Sequence, residues 1–478
     1  MVLSVNGVEY RYQEVVMELL STIDFRKILK LALRNGGDFA DIFCEHAFPT
    51  VITCEDGKIE HIASGVDGGA GVRVIANHKT SYAFTNVLNN QGLSQVAEAV
   101  SSATRGNRCT RPRALMQKGS WASPEIKRLP QDVSIDEKVA LVKKADAAAR
   151  AFDVRIRQVK VIYADAFRSI AVANTRDELV CDHRIGVICS VQVVASHGEV
   201  LQTGYEARGG RRGFEIFQEN PPEEIAAIAS ARAIAMLMAR RAPGGRMPVV
   251  LSGAAGGTMI HEAIGHGLEA DLVQMGFSVY AGRRGDMVAS PLVSVVDDAT
   301  LQHKRGSYAF DDEGVPGQRT LLVDRGMLKG YLYDCLTALK DNTASTGNGR
   351  RESYKSRPLP RMSNTFILPG STEPDDIVRA TGRGLLVKKM GGGQVNTLNG
   401  DFVFQVTEGY LIENGKVGDA VRGATLTGNG PAVLKSIDMV GNDLGFGIGT
   451  CGKEGQGIPV ADAQPTLRIP EMVVGGEV

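Results

Sequence analysis

The amino-acid sequence predicts an α+β protein: antiparallel sheet units with their own helices come first, and a β-rich C-terminal domain carrying one histidine-bearing helix follows. Three observations carry that expectation. Short β-branched segments separated by Gly and Asp turn signals recur from Asp41 onward, a second run of such segments lies between two stretches of helical composition, and glycine-dense turns punctuate the chain beyond about residue 246.

Residues 1–24 form an N-terminal extension that contains acidic residues and lacks the charged, apolar, small-residue order of a secretion signal. A first α+β domain, 25–110, opens with a helix at 25–34 (FRKILKLALR), whose apolar spacing ends at Gly36 and Gly37. The segments DIFCEHA, TVITCEDGKIEHIA and AGVRVIA then read as an antiparallel meander turning at 55–57 and 67–69. Residues 90–103 are helical, and the basic, Pro-containing stretch 111–130 is the linker. A second α+β unit, 131–245, begins with a helix at 135–151, continues as strands with hairpin cues near Asp165 and Asp177, and closes with an Ala-rich helix at 223–240. That helix is acidic at its start and ends in Arg, in keeping with the helix dipole. The third unit, 246–478, opens on a buried strand, MPVVLS, leading straight into the small-residue turn LSGAAGG and then to the histidines. LSGAAGG lacks the lysine and hydroxyl of a phosphate loop, so tight packing and close backbone approach are its expected uses.

Charge and composition exclude several functions. Lys plus Arg and Asp plus Glu both number 54, which gives no global attraction to nucleic acid or an anionic membrane, and RGGRRG (208–213) reads as a solvated turn. Runs of about 18 apolar residues are absent, so no membrane span is expected. Seven scattered cysteines suit a reducing cytoplasm better than a disulfide framework and leave a cysteine available as a thiolate ligand. DDEG (311–314) reads as a solvated acidic turn, and the arginines at 350, 351 and 361 as residues that seal the domain.

The candidate chemistry lies in HEAIGHGLEAD (261–271), where Glu262 follows His261 and His266 stands five residues after it. Histidines four apart diverge by about 40° on an α-helix and reach one metal, whereas five apart they diverge by about 140°. Metal binding therefore requires a π-type bulge or a frayed helix end, made easier by Gly265; the alternative is two ordinary hydrogen-bonded histidines. The third donor is open on spacing: Glu269 and Asp271 are near, and Cys451 lies far downstream in GIGTCGKEGQG, where flanking glycines expose its sulfur.

This run resembles the metalloprotease motif of the TldD and TldE (PmbA) family, as do DDEGVPGQRTLLVDRGMLKGYLYD, GDFVFQVTEGYLIENGK, VRGATLTGNG and GTCGKEGQGIPV in the C-terminal unit and DFADIFCE, EDGKIE and GAGVRV near the start. The resemblance implies Zn2+ held by His261, His266 and Cys451, with Glu262 as general base in hydrolysis of unfolded or modified peptides. It also implies pairing with a non-catalytic TldE/PmbA-like sister subunit, since that type lacks the histidines, or with a second copy. The competing expectation is a non-enzymatic regulatory or peptide-binding protein with a structural zinc, in which Glu269 or Asp271 fills a fourth position.

Overall fold

The computed structural model of the chain describes residues 2–5, 8–11, 22–106, 116–117 and 126–476. Strand Phe39–Glu55 is the hub of the amino-terminal half, within an eight-stranded sheet whose main row is Val200–Gly210, Glu178–His197, Ile156–Asn174, Phe39–Glu55, Asp67–Ala76 and Lys79–Thr85. Sequence segments on the two sides of 111–130 therefore share one antiparallel sheet, joined where Phe39–Glu55 pairs with Ile156–Asn174. Most of the linker and much of the N-terminal extension fall outside the described residues; within the extension, Val2–Val5 and Val8–Arg11 form an antiparallel hairpin.

Two expected strands prove to be one. DIFCEHA and TVITCE are parts of the 17-residue strand Phe39–Glu55, which runs through Pro49. On one side this strand pairs with Asp67–Ala76 as far as Ala47 and with Lys58–Ser64 from Thr50 onward, so Pro49 falls in the gap between two ladders, where a residue without an N–H is tolerated. Similarly, Asp177 turns the chain with a positive φ of 62°, but Asp165 lies inside strand Ile156–Asn174. The Asp165 carboxylate is buried against the Lys138 ammonium at 2.6 Å, on helix Ile135–Phe152.

Helices cover this sheet in two pairs. Phe25–Ala32 and Asn90–Ala103 place Leu29, Leu93 and Ala97 on Ala40, Ile42 and Val72. Ile135–Phe152 and Pro222–Met238 place Val142, Ala145 and Ala229 on Val161, Val187 and Val191. Strand Ile156–Asn174 alternates buried and half-buried residues along its first part and is continuously buried from Ser169 onward, where Ile170 and Val172 pack with Tyr354 of the C-terminal unit.

In the C-terminal unit, Asp401–Glu413, Gly384–Val395, Gly245–Leu251, Leu467–Gly475 and Thr425–Asn429 are hydrogen-bonded in that order, and the last pairs back onto the first, closing a five-stranded barrel. A six-stranded sheet lies beside it, ordered Met327–Leu328, Arg319–Asp324, Val295–Asp298, Asn364–Ile367, Gln456–Gln464 and Gly445–Lys453. The largest core fills the space between barrel and sheet and includes Ile260, Ile264 and Leu268 of the histidine segment.

Two expectations about charge are overturned. Asp311, Asp312 and Glu313 are buried: Glu313 pairs with Arg73 at 2.7 Å and Asp312 with Arg184 at 2.6 Å across the junction of the two halves. RGGRRG is also no solvated turn, because Arg208 and the two glycines after it end strand Val200–Gly210 and Arg211 is buried, donating to the carbonyls of Ser307 and His183. Both segments are polar because they join domains. Hydration is satisfied there by partners instead of water.

Candidate metal centre

Barrel strand Gly245–Leu251 delivers the chain into the site. A 3-10 turn at Gly253–Ala255 and a positive φ of 78° at Gly256 follow, and the Gly257 N–H donates to Asp462 at 3.1 Å. A Cβ on Gly257 would lie 2.2 Å from the Ala463 nitrogen, so LSGAAGG allows the close packing expected of it.

The helix is distorted where the spacing demands. One α-turn at Thr258–Ile260 gives way to a π-turn over His261–Gly265 and a 3-10 turn over His266–Leu268, and the His266 N–H bonds to the His261 carbonyl. That five-residue hydrogen bond absorbs the extra residue and brings both imidazoles to one side, with ring centroids 5.0 Å apart and planes at 89°. Packing sustains the wide turn: the Tyr280 hydroxyl donates to the Ala263 carbonyl at 2.9 Å. Gly265 has φ −54° and ψ −59°, so its role is steric rather than conformational; a Cβ there would lie 2.1 Å from the Met362 sulfur.

Cys451 reaches the pair from the edge strand Gly445–Lys453. Its Sγ is 3.3 Å from His266 Nε2, and one donor atom each from His261, His266 and Cys451 lie within 4.8 Å of one another. Tetrahedral zinc at usual bond lengths sets sulfur and nitrogen ligands about 3.5 Å apart, so the donor set fits a metal ion. Among the described residues the buried His261 Nδ1 has no hydrogen-bond partner, a further sign of fit. Contrary to the expectation from its glycine neighbours, Cys451 is only 4% exposed.

Surrounding groups hold these three in place. His266 Nδ1 lies 2.9 Å from Glu269 Oε2, Glu269 also receives the Lys453 ammonium at 2.9 Å, and Lys453 binds Asp271 at 2.7 Å. Glu269 and Asp271 thus serve His266 and Lys453 instead of completing a fourth corner, and no fourth such donor joins the cluster among the described residues. His261 Nδ1 stands 3.8 Å from Asp462, and Arg361 donates to the Cys451 carbonyl at 2.6 Å. Burial pushes the Cys451 thiol up, but hydrogen bonds with His261 and His266 outweigh it and bring the pKa down to about 5. Burial likewise disfavours charge on His266 and Glu269; beside each other, and with Lys453 next to Glu269, the imidazole is held well above its usual value and the carboxyl at about 2.

Glu262 lines, with His261 and Cys451, a cavity of about 1010 Å³ between the two halves of the chain. Its carboxylate has no hydrogen-bond partner among the described residues. Sequence reasoning left Glu269 undecided, although a carboxylate three residues after a histidine on a helical turn is a recognisable neighbour. Asp462 and Lys453 were missed altogether, and only tertiary pairing reveals them.

Three family matches cover most of the chain: PmbA/TldA metallopeptidase domain 1 at 40–103, the central domain at 128–237 and the C-terminal domain at 244–476. A Haemophilus influenzae protein named metalloprotease TldD homolog is 37% identical, over 96% of this chain and 97% of its own length. A Saccharolobus solfataricus protein named zinc metalloprotease TldD homolog is 27% identical, over 95% of this chain and all of its own. The crystal structure of TldE from Thermococcus kodakarensis shares the fold at TM-score 0.75 and 18% identity, covering 96% of this chain and 100% of that one. With matches to all three domains and 37% identity along nearly the whole length, this chain belongs to the PmbA/TldD metallopeptidase family.

Proposed function

We propose that this chain is the catalytic subunit of a cytoplasmic zinc metallopeptidase that hydrolyses unfolded or modified peptides. The observation that carries the reading is a cluster of two imidazoles and a thiol that, among the described residues, has no fourth protein donor and opens on a cavity beside a carboxylate without a hydrogen-bond partner. A structural zinc site takes four protein ligands, so the three-donor arrangement favours catalysis over the regulator with structural zinc. Zinc bound there supplies Lewis acidity to water and the scissile carbonyl.

The chain's own residues perform the remaining work. His261, His266 and Cys451 would hold the ion, and Glu269, through His266 Nδ1, fixes that ring's orientation and tautomer. Glu262 takes the proton from the attacking water and returns it to the departing amine nitrogen. Strand Gly445–Lys453, at the edge of its sheet and lining the cavity up to Cys451, offers backbone groups to an extended peptide, which needs no particular side chains to pair. A folded protein presents no such free strand.

Metal content and cleavage of an unstructured peptide, measured on wild type, Glu262→Ala and Cys451→Ala, test the assignment. Glu262→Ala is expected to keep its zinc and lose cleavage, and Cys451→Ala to lose the metal. Full activity in Glu262→Ala overturns the mechanism.

A further inference from the structure

The charge lining the cavity is unbalanced. Seven Arg and Lys side chains face four carboxylates around its wall, although the whole chain has a formal net charge of zero. Arg208 and Arg232 are paired with Glu206, Arg232 also binds Glu408 at 2.7 Å, and Arg212 is paired with Glu219. Lys304, Arg305, Lys388 and Lys389 have no carboxylate in salt-bridge contact among the described residues, and Lys389 shares the field of Glu206 with Arg208 and Arg232.

Three of these cations rest on neutral groups. The Lys304 ammonium lies 3.9 Å from the centroid of the Phe446 ring, Lys388 is 5.0 Å from that of Tyr410, and Arg305 donates to the Gly449 carbonyl at 3.1 Å. Burial without an opposing carboxylate pulls Lys304 and Arg305 below their usual values. Phe446 and Gly449 belong to the edge strand that ends beside Cys451, while Lys388 and Lys389 lie on Gly384–Val395, another strand lining the cavity. Cations therefore stand along the path of a peptide paired to that edge, and charges of one sign clustered in a cleft attract the opposite sign.

We propose that the cleft selects peptide segments carrying Asp or Glu side chains near the scissile bond, with Lys304, Arg305, Lys388 and Lys389 as the specificity-determining residues. This rests on the peptidase reading and names its substrate class. A nucleic acid is disfavoured because Glu206, Glu408, Glu262 and Asp462 interrupt the basic wall, denying a continuous phosphate chain its neutralisation.

The test uses three unstructured fluorescent peptides identical except that four positions are all Glu, all Gln or all Lys. Binding is read by anisotropy on zinc-loaded full-length Glu262→Ala, and cleavage on wild type. The Glu peptide is expected to bind about tenfold more tightly than the Gln peptide, with its kcat/KM advantage residing in KM, and the margin should shrink between about 0.05 M and about 0.5 M salt. Lys304→Gln with Lys388→Gln should erase the margin, and Lys304→Glu with Lys388→Glu should turn preference toward the Lys peptide. Equal binding and cleavage of all three peptides overturns the selectivity while upholding the peptidase. Selective binding with no cleavage of any peptide by zinc-loaded wild type overturns the peptidase alone. Displacement of the Glu peptide by an oligonucleotide of equal charge and equal affinity makes the cleft a general polyanion site and also overturns the proposal.

Discussion

Glu269 shows how one buried side chain governs several others. It is fully buried, accepts from His266 and Lys453, and lies 4.0 Å from Arg361, so its charge is held by cations on three sides. Glu269→Gln keeps the shape and removes the charge that orients His266; zinc affinity should fall about 10-fold to 100-fold, measured by competition with a chromophoric chelator. Unchanged affinity would make the carboxylate merely structural. The two histidines and Glu262 were legible from local sequence because the π-turn keeps them within one turn of chain. Spacing left Cys451 one of three open candidates and only family resemblance singled it out, since its approach depends on a strand 185 residues further along the chain from His266. Asp165 misled for a related reason: an aspartate in a polar stretch resembles a turn signal until its partner, Lys138, arrives from a different element.

At the scale of elements, the π-turn is held by side chains packed around it. Gly265→Ala should lower unfolding stability by about 1–3 kcal/mol and weaken zinc retention, because the new methyl meets Met362. Adding Met362→Ala should restore retention, a coupling that denaturant melts and metal analysis of the double variant will detect. Helix Cys335–Lys340 provides a pH test at its cap. Asp334 accepts from the Thr337 N–H at 2.8 Å, and burial together with the Glu313 charge raises its pKa from 3.8 to about 7. The folded chain keeps a proton that the unfolded chain releases, so this group's contribution to stability is present at low pH and lost as pH rises from about 4 to about 7. Asp334→Asn removes that loss and should gain stability relative to wild type across the same interval, as followed by thermal melts at fixed ionic strength. Helix positions were largely legible, since caps and apolar spacing are local; the fusion of two expected strands across Pro49 was not, because pairing partners decide whether a proline interrupts a strand.

For the whole molecule, a buried ionic seam joins the halves. Arg73 Nε donates to Asp41 at 2.6 Å and its guanidinium pairs with Glu313, while Arg351 reaches Asp41 at 3.3 Å and lies over the Phe43 ring. The cavity depends on that union, because its wall draws on strand Val200–Gly210, helix Pro222–Met238 and the C-terminal strands together. If a sister chain or a second copy encloses the cavity, folded proteins are kept from the proposed site. Sedimentation of the purified chain, alone and with a family member lacking the histidines, should show a stable dimer and higher peptidase activity in the assembled form; a fully active monomer removes the need for a partner. The sheet-rich character of both halves was legible from alternation and turns. The merger of the first two units into one eight-stranded sheet within the amino-terminal half was not, because hydrogen bonding between Phe39–Glu55 and Ile156–Asn174 leaves no local mark.

The separation of Cys451 from its histidines also bears on how the protein is made. Among the described residues Gly445–Lys453 pairs within its sheet only with Gln456–Gln464, which in turn pairs with Asn364–Ile367 beside Val295–Asp298. A nascent chain still emerging from the ribosome therefore carries both histidines before Cys451 can join them, so a metal centre built on all three can form only after strand Gly445–Lys453 is seated.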